Sequence, residues 1–335
     1  MHSAHHWRAL ESSCHPATQG AGRGGDVMRL GLALPHYPFS FPTPQPSTAR
    51  RAIEYATLAE DAGFHQVWVS DHFWVDVATA GQPEQRQEPA ECWTLLAAIA
   101  ASTNRIRVGS LATPIGFRNP NLLARMAATV NELAAGRLDV AVGAGWNESE
   151  HRANGLDFPP ARQRLVSLED TVGLLRRRVP GVPVWVAGKR PKLLEVAALA
   201  DGWNTAWDST MADYRHRDAM VRQACHRRGR DPVAVHRSLG LTTLIGRDND
   251  DLERRWHSLQ RWAPGGALAD ISLRSWARSR LVGTPQEVAQ QLRRWGEAGV
   301  EQVICSFGAP FAVHDNQQLE LAVDALAILS GSKGP

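Results

Sequence analysis

From Met28 onward the chain alternates short apolar runs with amphipathic stretches, eight times over and without a break. Residues 29–34, 66–70, 106–111, 138–143, 184–187, 203–206, 237–245 and 300–306 read as strands, each a brief apolar run bounded by glycine, proline or polar residues. Helices read over 47–62, 91–102, 119–135, 162–178, 191–200, 211–228, about 250–262 and 285–298, with a poorly defined segment up to Ser279 before the last of them. Local punctuation agrees with these limits. Ser47 is placed to cap the first helix and Gly63 to stop it. Thr284-Pro285-Gln286-Glu287 is a capping box with proline at the first helical position, and Gly299 closes that helix.

Strands that are apolar along their whole length are buried on both faces, and parallel strands need a long crossover, which the intervening helices supply. Eight such units in 335 residues predict a closed (β/α)8 barrel of the TIM type, with a doubly wound open sheet as the rival. An internal echo fits stacked βα units: Asp61-Ala62-Gly63-Phe64-His65-Gln66-Val67 is answered by Glu297-Ala298-Gly299-Val300-Glu301-Gln302-Val303. Residues 28–330 are read as one barrel domain.

Residues 1–27 are of another kind. They are rich in Gly, Ser and His and have no apolar h-region, so they read as a disordered N-terminal extension, with Met28 the expected natural start. His2, His5 and His6 belong to that tail, and no metal site is expected. Elsewhere composition serves to exclude. No apolar run is long enough to span a bilayer, which argues against a membrane protein, and a formal charge of +3 spread over scattered arginines argues against nucleic acid. Cys14, Cys92, Cys225 and Cys305 lie far apart without a CxxC pair, which speaks against zinc or a disulfide framework and for a reducing cytoplasm.

In a barrel of this kind chemistry sits at the carboxyl ends of the strands. Those ends carry Pro35-His36, Asp71-His72, Ala112-Thr113-Pro114, Gly143-Ala144-Gly145-Trp146-Asn147, Gly188-Lys189-Arg190, Trp207-Asp208 and Phe307-Gly308. His72 can take or give a proton near neutrality, and the neighbouring Asp71 could fix its tautomer; the alternative for Asp71 is a structural bond to a loop backbone. Glu91 begins a helix, where capping is the simpler reading. His36 is a candidate for substrate contact. Gly143-Ala144-Gly145 lacks the full GxGxxG pattern of a dinucleotide site. Ala187-Gly188-Lys189-Arg190-Pro191-Lys192 joins a strand-end glycine, three cations and a helix-start proline, as a phosphate site would, with a solvated basic loop as the alternative. Trp68, Trp146, Trp203 and Trp207 lie on or beyond strands, where they either stack on a planar ring or pack the core.

Taken in order, SDHF (70–73), ECWTLLAAIAASTNRIRVGSLATP (91–114), RNP (118–120), AGRLDVAVGAGWNESEHRANG (135–155), ADGWNTAW (200–207) and GTPQEVAQQLRRWGEAGVEQVI (283–304) resemble the luciferase-like monooxygenase superfamily, most closely the branch that uses the deazaflavin coenzyme F420. The resemblance spans residues 28–308. It implies an isoalloxazine-like ring in the barrel mouth, supported by a non-prolyl cis peptide at Leu111-Ala112 beside Thr113. It assigns Gly143, Ala144, Gly145 and Trp146 to the cofactor wall, and Ala187, Gly188, Lys189 and Arg190 to its phosphate. Asp71 and His72 match an aspartate–histidine pair beside the ring, and Glu91 matches a glutamate recurring in this branch. Two departures stand out. Trp146 occupies the place of a glutamate found in some deazaflavin dehydrogenases. The usual long insertion before strand five is reduced to residues 179–183, which implies a more open site or one completed by a partner subunit. The expected activity is hydride transfer between F420 and a small organic substrate. The alternatives are an FMN-dependent monooxygenase supplied by a separate reductase, and a flavin-binding relative without turnover. A homodimer is expected.

Overall fold

The computed structural model describes residues 28–41, 47–77, 85–263, 266, 268–308 and 315–331; the N-terminal extension and its histidines lie outside these residues. Among the described residues eleven strands are formed: β1 Arg29–Ala33, β2 Gln66–Val69, β3 Val75–Val77, β4 Gln85–Gln87, β5 Arg107–Pro114, β6 Leu138–Gly143, β7 Val184–Ala187, β8 Gly202–Trp207, β9 His236–Ile245, β10 Leu281–Gly283 and β11 Gln302–Phe307. Around them lie α1 Thr48–Ala62, α2 Cys92–Ser102, α3 Pro120–Leu133, α4 Glu148–Ala153, α5 Ala161–Arg178, α6 Pro191–Ala197, α7 Met211–Arg227, α8 Asn249–Trp262, α9 Leu273–Trp276, α10 Pro285–Glu297 and α11 Gln317–Leu329.

Eight strands pair in parallel in the order β9-β11-β1-β2-β5-β6-β7-β8, and β8 pairs back onto β9 from Gly202↔His236 to Trp207↔Gly240. The ring is therefore closed, and the open-sheet rival falls. Beside the ring, β10 pairs with the end of β9, and β3 with β4 forms a separate antiparallel hairpin. The link from α5 to β7 is the short one expected at 179–183. Among the described residues, no helix is long and apolar enough to cross a membrane.

The expected caps are present. Ser47 accepts from the Arg50 N–H, and Thr284 and Glu287 close a reciprocal capping box. The main core lies between the ring and its helices, with Leu30, Leu32, Val67, Val69, Val108, Leu138, Val140, Val184 and Val186 facing outward onto Leu96, Ile99, Leu123, Leu168 and Leu194. Trp203 belongs to this layer, stacked on Tyr214 of α7.

The inside of the ring is filled by indoles lying over glycines. Trp68 covers Gly109, where an added Cβ would come within 2.6 Å of the ring, and Trp185 covers Gly202, where it would come within 2.1 Å. The two indoles meet edge-on, 5.9 Å apart at 85°. Their N–H groups face a polar layer at the N-terminal pole: Trp68 donates to Gln302 (3.3 Å), and Trp185 to Asp139 (2.9 Å), which also accepts from Gln66 and Arg107. This network satisfies the indole N–H groups at the lower end, where Gln66, Arg107, Asp139, Trp185 and Gln302 line a cavity of about 270 Å³.

Candidate active site

The strand ends bring together only some of the residues that sequence placed there. Asp71 is 3% exposed, and its carboxylate accepts from Arg118 (2.6 and 3.2 Å) and from the Thr113 hydroxyl (2.8 Å), which in turn accepts from Trp93. Burial pushes the Asp71 carboxyl up, against the pull of Arg118 and Thr113. Arg118 also binds Glu91, which caps α2 through the Thr94 N–H. Burial pushes the Glu91 carboxyl up, but the bonds from Thr94 and Arg118 outweigh it and hold the group below its usual value. Capping and ion pairing thus coexist at Glu91. The expectation that Asp71 orients His72 is corrected by this geometry, since the Asp71 carboxylate is committed to β5 and its loop.

The partner of His72 is Glu150, which sequence reasoning missed. The His72 Nδ1 lies 3.1 and 3.2 Å from the two carboxylate oxygens of Glu150. Glu150 is 1% exposed and also accepts from the Phe73 N–H (2.6 Å). Its own N–H is held by Asn147, the N-cap of α4. As an acceptor facing His72, the Glu150 carboxylate fixes the ring with Nδ1 as the donating nitrogen. The Asn147-x-x-Glu150 spacing was the available signal. It reads as a capping box, yet the carboxylate turns to His72 instead.

Along β6 the chain leaves the ring through Gly143, whose added Cβ would lie 3.7 Å from the Ala112 Cβ and 3.6 Å from the Ala187 carbonyl. The Leu111-Ala112 peptide is cis, at a register shift in the pairing of β5 with β6. Gly145 has φ 78°, and a Cβ there would press on the His151 imidazole at 3.2 Å, so glycine is needed both for the turn and for the approach. The turn directs Trp146 outward, where it is 75% exposed and meets the His72 ring edge-on at 6.0 Å. On the far rim, the Gly188 N–H donates to the Asn204 carbonyl, Lys189 reaches the Trp207 carbonyl at 3.4 Å, and Arg190 begins α6, exposed. The Gly188 N–H is thereby spent within the fold. A cavity of about 570 Å³ opens beside the mouth between α3, α4 and α5, lined in part by Phe117, Arg118, His151 and Arg164. Among the described residues, no group of three or more His, Cys, Asp or Glu is placed to hold a metal.

His36, expected to contact substrate, is fully buried. Its Nδ1 donates to the Leu34 carbonyl (2.8 Å), Nε2 accepts from Ser70 Oγ (3.2 Å), and Ser70 accepts from the Tyr37 hydroxyl (2.6 Å). Burial lowers the imidazole from 6.5 to about 4. The unfolded chain therefore binds the extra proton between those values, and the stability gained by keeping His36 neutral is present above pH 6.5 and lost as pH falls towards 4. His65, lowered to about 4 by burial and by Arg29 and Arg107, titrates in the same window. The melting temperature is expected to fall over this range and to fall less steeply in H36Q; equal slopes for the two proteins would refute the assignment.

Comparison with known proteins follows the same ring. The sequence model of the family described as luciferase-like monooxygenase matches residues 28–181 and 166–302, two segments that overlap from within α5 into the short link. An F420-dependent glucose-6-phosphate dehydrogenase of Amycolatopsis mediterranei is 25% identical over 277 residues, 73% of this chain and 80% of that protein. A phthiodiolone/phenolphthiodiolone dimycocerosates ketoreductase of Mycobacterium kansasii is 25% identical over 340 residues, 78% of this chain and 91% of that one. Among solved structures, an F420-dependent secondary alcohol dehydrogenase in complex with an F420–acetone adduct superposes with a TM-score of 0.71 at 18% identity, over 90% of this chain and 99% of that one. The EDTA monooxygenase of Chelativorans sp. BNC1 gives 0.69 at 17%, over 91% and 94%. The structural likenesses speak to the fold. The family match reaches from β1 to the first residue of β11, and by it the chain belongs to the luciferase-like monooxygenase family.

Proposed function

We propose an oxidoreductase that works at the C-terminal mouth with coenzyme F420, the bound deazaflavin supplying the hydride acceptor or donor for a small organic substrate. The observation that carries this reading is the His72–Glu150 pair, an oriented imidazole at the mouth of a barrel whose curated relatives include F420-dependent dehydrogenases. Small residues at the mouth support this reading. Ala112 and Gly143 face each other without bulk, and a side chain at Gly143 would rise into that space. Leu111, Ala112, Gly143, Ala144 and Gly145 are the proposed wall, with buried Thr113 supporting it from behind and Trp146, which the resemblance would add to it, placed instead on the exposed rim. Ala187, Gly188, Lys189 and Arg190 are the proposed phosphate contacts, with Lys189 and Arg190 the cations available for it.

On this reading His72 Nε2 takes the hydroxyl proton of an alcohol, or returns one to a carbonyl oxygen. Glu150 holds Nδ1–H and stabilises the imidazolium while the proton is there. Asp71, Arg118 and Thr113 act one step back, tying the end of β2 to β5 so that His72 stays in place. A second reading, an FMN-dependent monooxygenase fed by a separate reductase, is favoured by the monooxygenases among the structural neighbours.

Titration of the purified protein with F420 and with FMN, followed by absorbance and fluorescence, separates the two. F420 is expected to bind and FMN to bind more weakly. Tight FMN binding without deazaflavin binding would sink the leading reading, and binding of neither would favour a relative without turnover. Sizing the same preparation tests the homodimer, which we propose as the state in solution.

A further inference from the structure

We infer that Trp146 is the platform for an uncharged, ring-bearing substrate, whose carbonyl or hydroxyl group it sets beside His72. The inference rests on the proposed oxidoreductase reading and narrows its substrate class. Trp146 is the one aromatic among the large side chains left exposed in the described residues, and its 75% exposure is at the mouth, not on an outer helix. The left-handed Gly145 holds it there, and the edge of its indole meets the imidazole that handles the proton. An indole face so placed lies open to a second ring, and offset or edge-on aromatic pairing is the contact it favours.

Charge points the same way. Arg118 is committed to Asp71 and Glu91, and Arg280 lies 3.4 Å from Asp208, which also accepts from Thr242. Arg118 and Arg280 are thus engaged within the protein, while Leu111, Ala112 and Trp207 offer a half-buried apolar surface. An anionic substrate would have to break these pairs; a neutral ring would not. A tryptophan in this position also differs from a wall residue fixed by the fold, because at 75% exposure its ring is left largely uncovered by the described residues.

The test is the affinity of acetophenone and of acetone for the parent protein, W146A and W146F, by calorimetry, with and without bound F420. The parent is expected to bind acetophenone more tightly than acetone. W146A should lose about tenfold in acetophenone affinity, and W146F should stay within roughly threefold of the parent, since phenylalanine keeps an aromatic face. Acetone binding and F420 affinity should be unchanged in both variants. Unchanged acetophenone affinity in W146A overturns the inference. So does a parallel loss of F420 affinity, which would make Trp146 part of the cofactor wall, and so does failure of the parent to bind acetophenone. If neither F420 nor FMN binds the parent, the oxidoreductase reading fails, yet the ring titration without cofactor still decides the role of Trp146.

Discussion

Replacing His72 with alanine is expected to lower turnover about 10²–10⁴-fold in the direction that bleaches or restores deazaflavin absorbance, with cofactor affinity kept. The size follows from what the residue does: it is asked to move one proton, and positioned proton transfer contributes on that scale. His72 is also partly exposed, so its removal leaves the fold intact. Glu150 supplies the control. E150Q keeps an acceptor for the Phe73 N–H but removes the charge facing Nδ1, so it should fold normally, lower kcat less than H72A does, and leave KM little changed. Nitrogen NMR of the ring should show a loss of preference for protonated Nδ1. An H72A enzyme with parental turnover at saturating cofactor rules out the proton role, and an E150Q enzyme with parental kcat and an unaltered ring tautomer removes Glu150 from it.

The second large effect is on stability. G202A places a methyl group 2.1 Å from the Trp185 ring, where no real Cβ can sit. The indole has nowhere to retreat: its N–H is bound to Asp139, and its face meets the edge of Trp68. Overpacking in such a core costs about 1–3 kcal/mol and occasionally more, and here the upper end or beyond is expected. A denaturant midpoint well below that of the parent is the anticipated result, with partial recovery in the G202A/W185L double variant, because the leucine vacates the space that the methyl needs. A G202A midpoint equal to the parent's would show that the ring interior is looser than its geometry implies.

The strands were legible because each is a compact apolar run with a glycine or a polar stop. Residues 138–143 and 184–187 were read with the limits they have in β6 and β7. Caps are equally local, and Ser47 and Thr284 perform them as read. The closing pair β8–β9 is a meeting of backbones at the far side of a ring, for which no residue pattern is diagnostic. The strands β3, β4 and β10 are three residues each, and α4 is six, too short to show a period. At the site the misreading has a definite cause. Asp71 is adjacent to His72 in sequence, but beyond the end of β2 the two side chains part, Asp71 to Arg118 and Thr113 and His72 to Glu150. The carboxylate on the histidine's side came from 78 residues away. His36 looked accessible for a related reason: it follows a strand, yet Ser70 and Tyr37 enclose it.

The indoles that lie over glycines inside the barrel also constrain how this chain can change by descent. Volume within the ring has been moved from one strand to its neighbour, so that Trp68 with Gly109, and Trp185 with Gly202, each behave as one heritable unit of space. A smaller residue at the tryptophan leaves a void, and a larger one at the glycine collides, so either change made singly costs stability. Relatives that have drifted at one member of such a pair should have drifted at the other as well, and the two positions would be exchanged together or not at all.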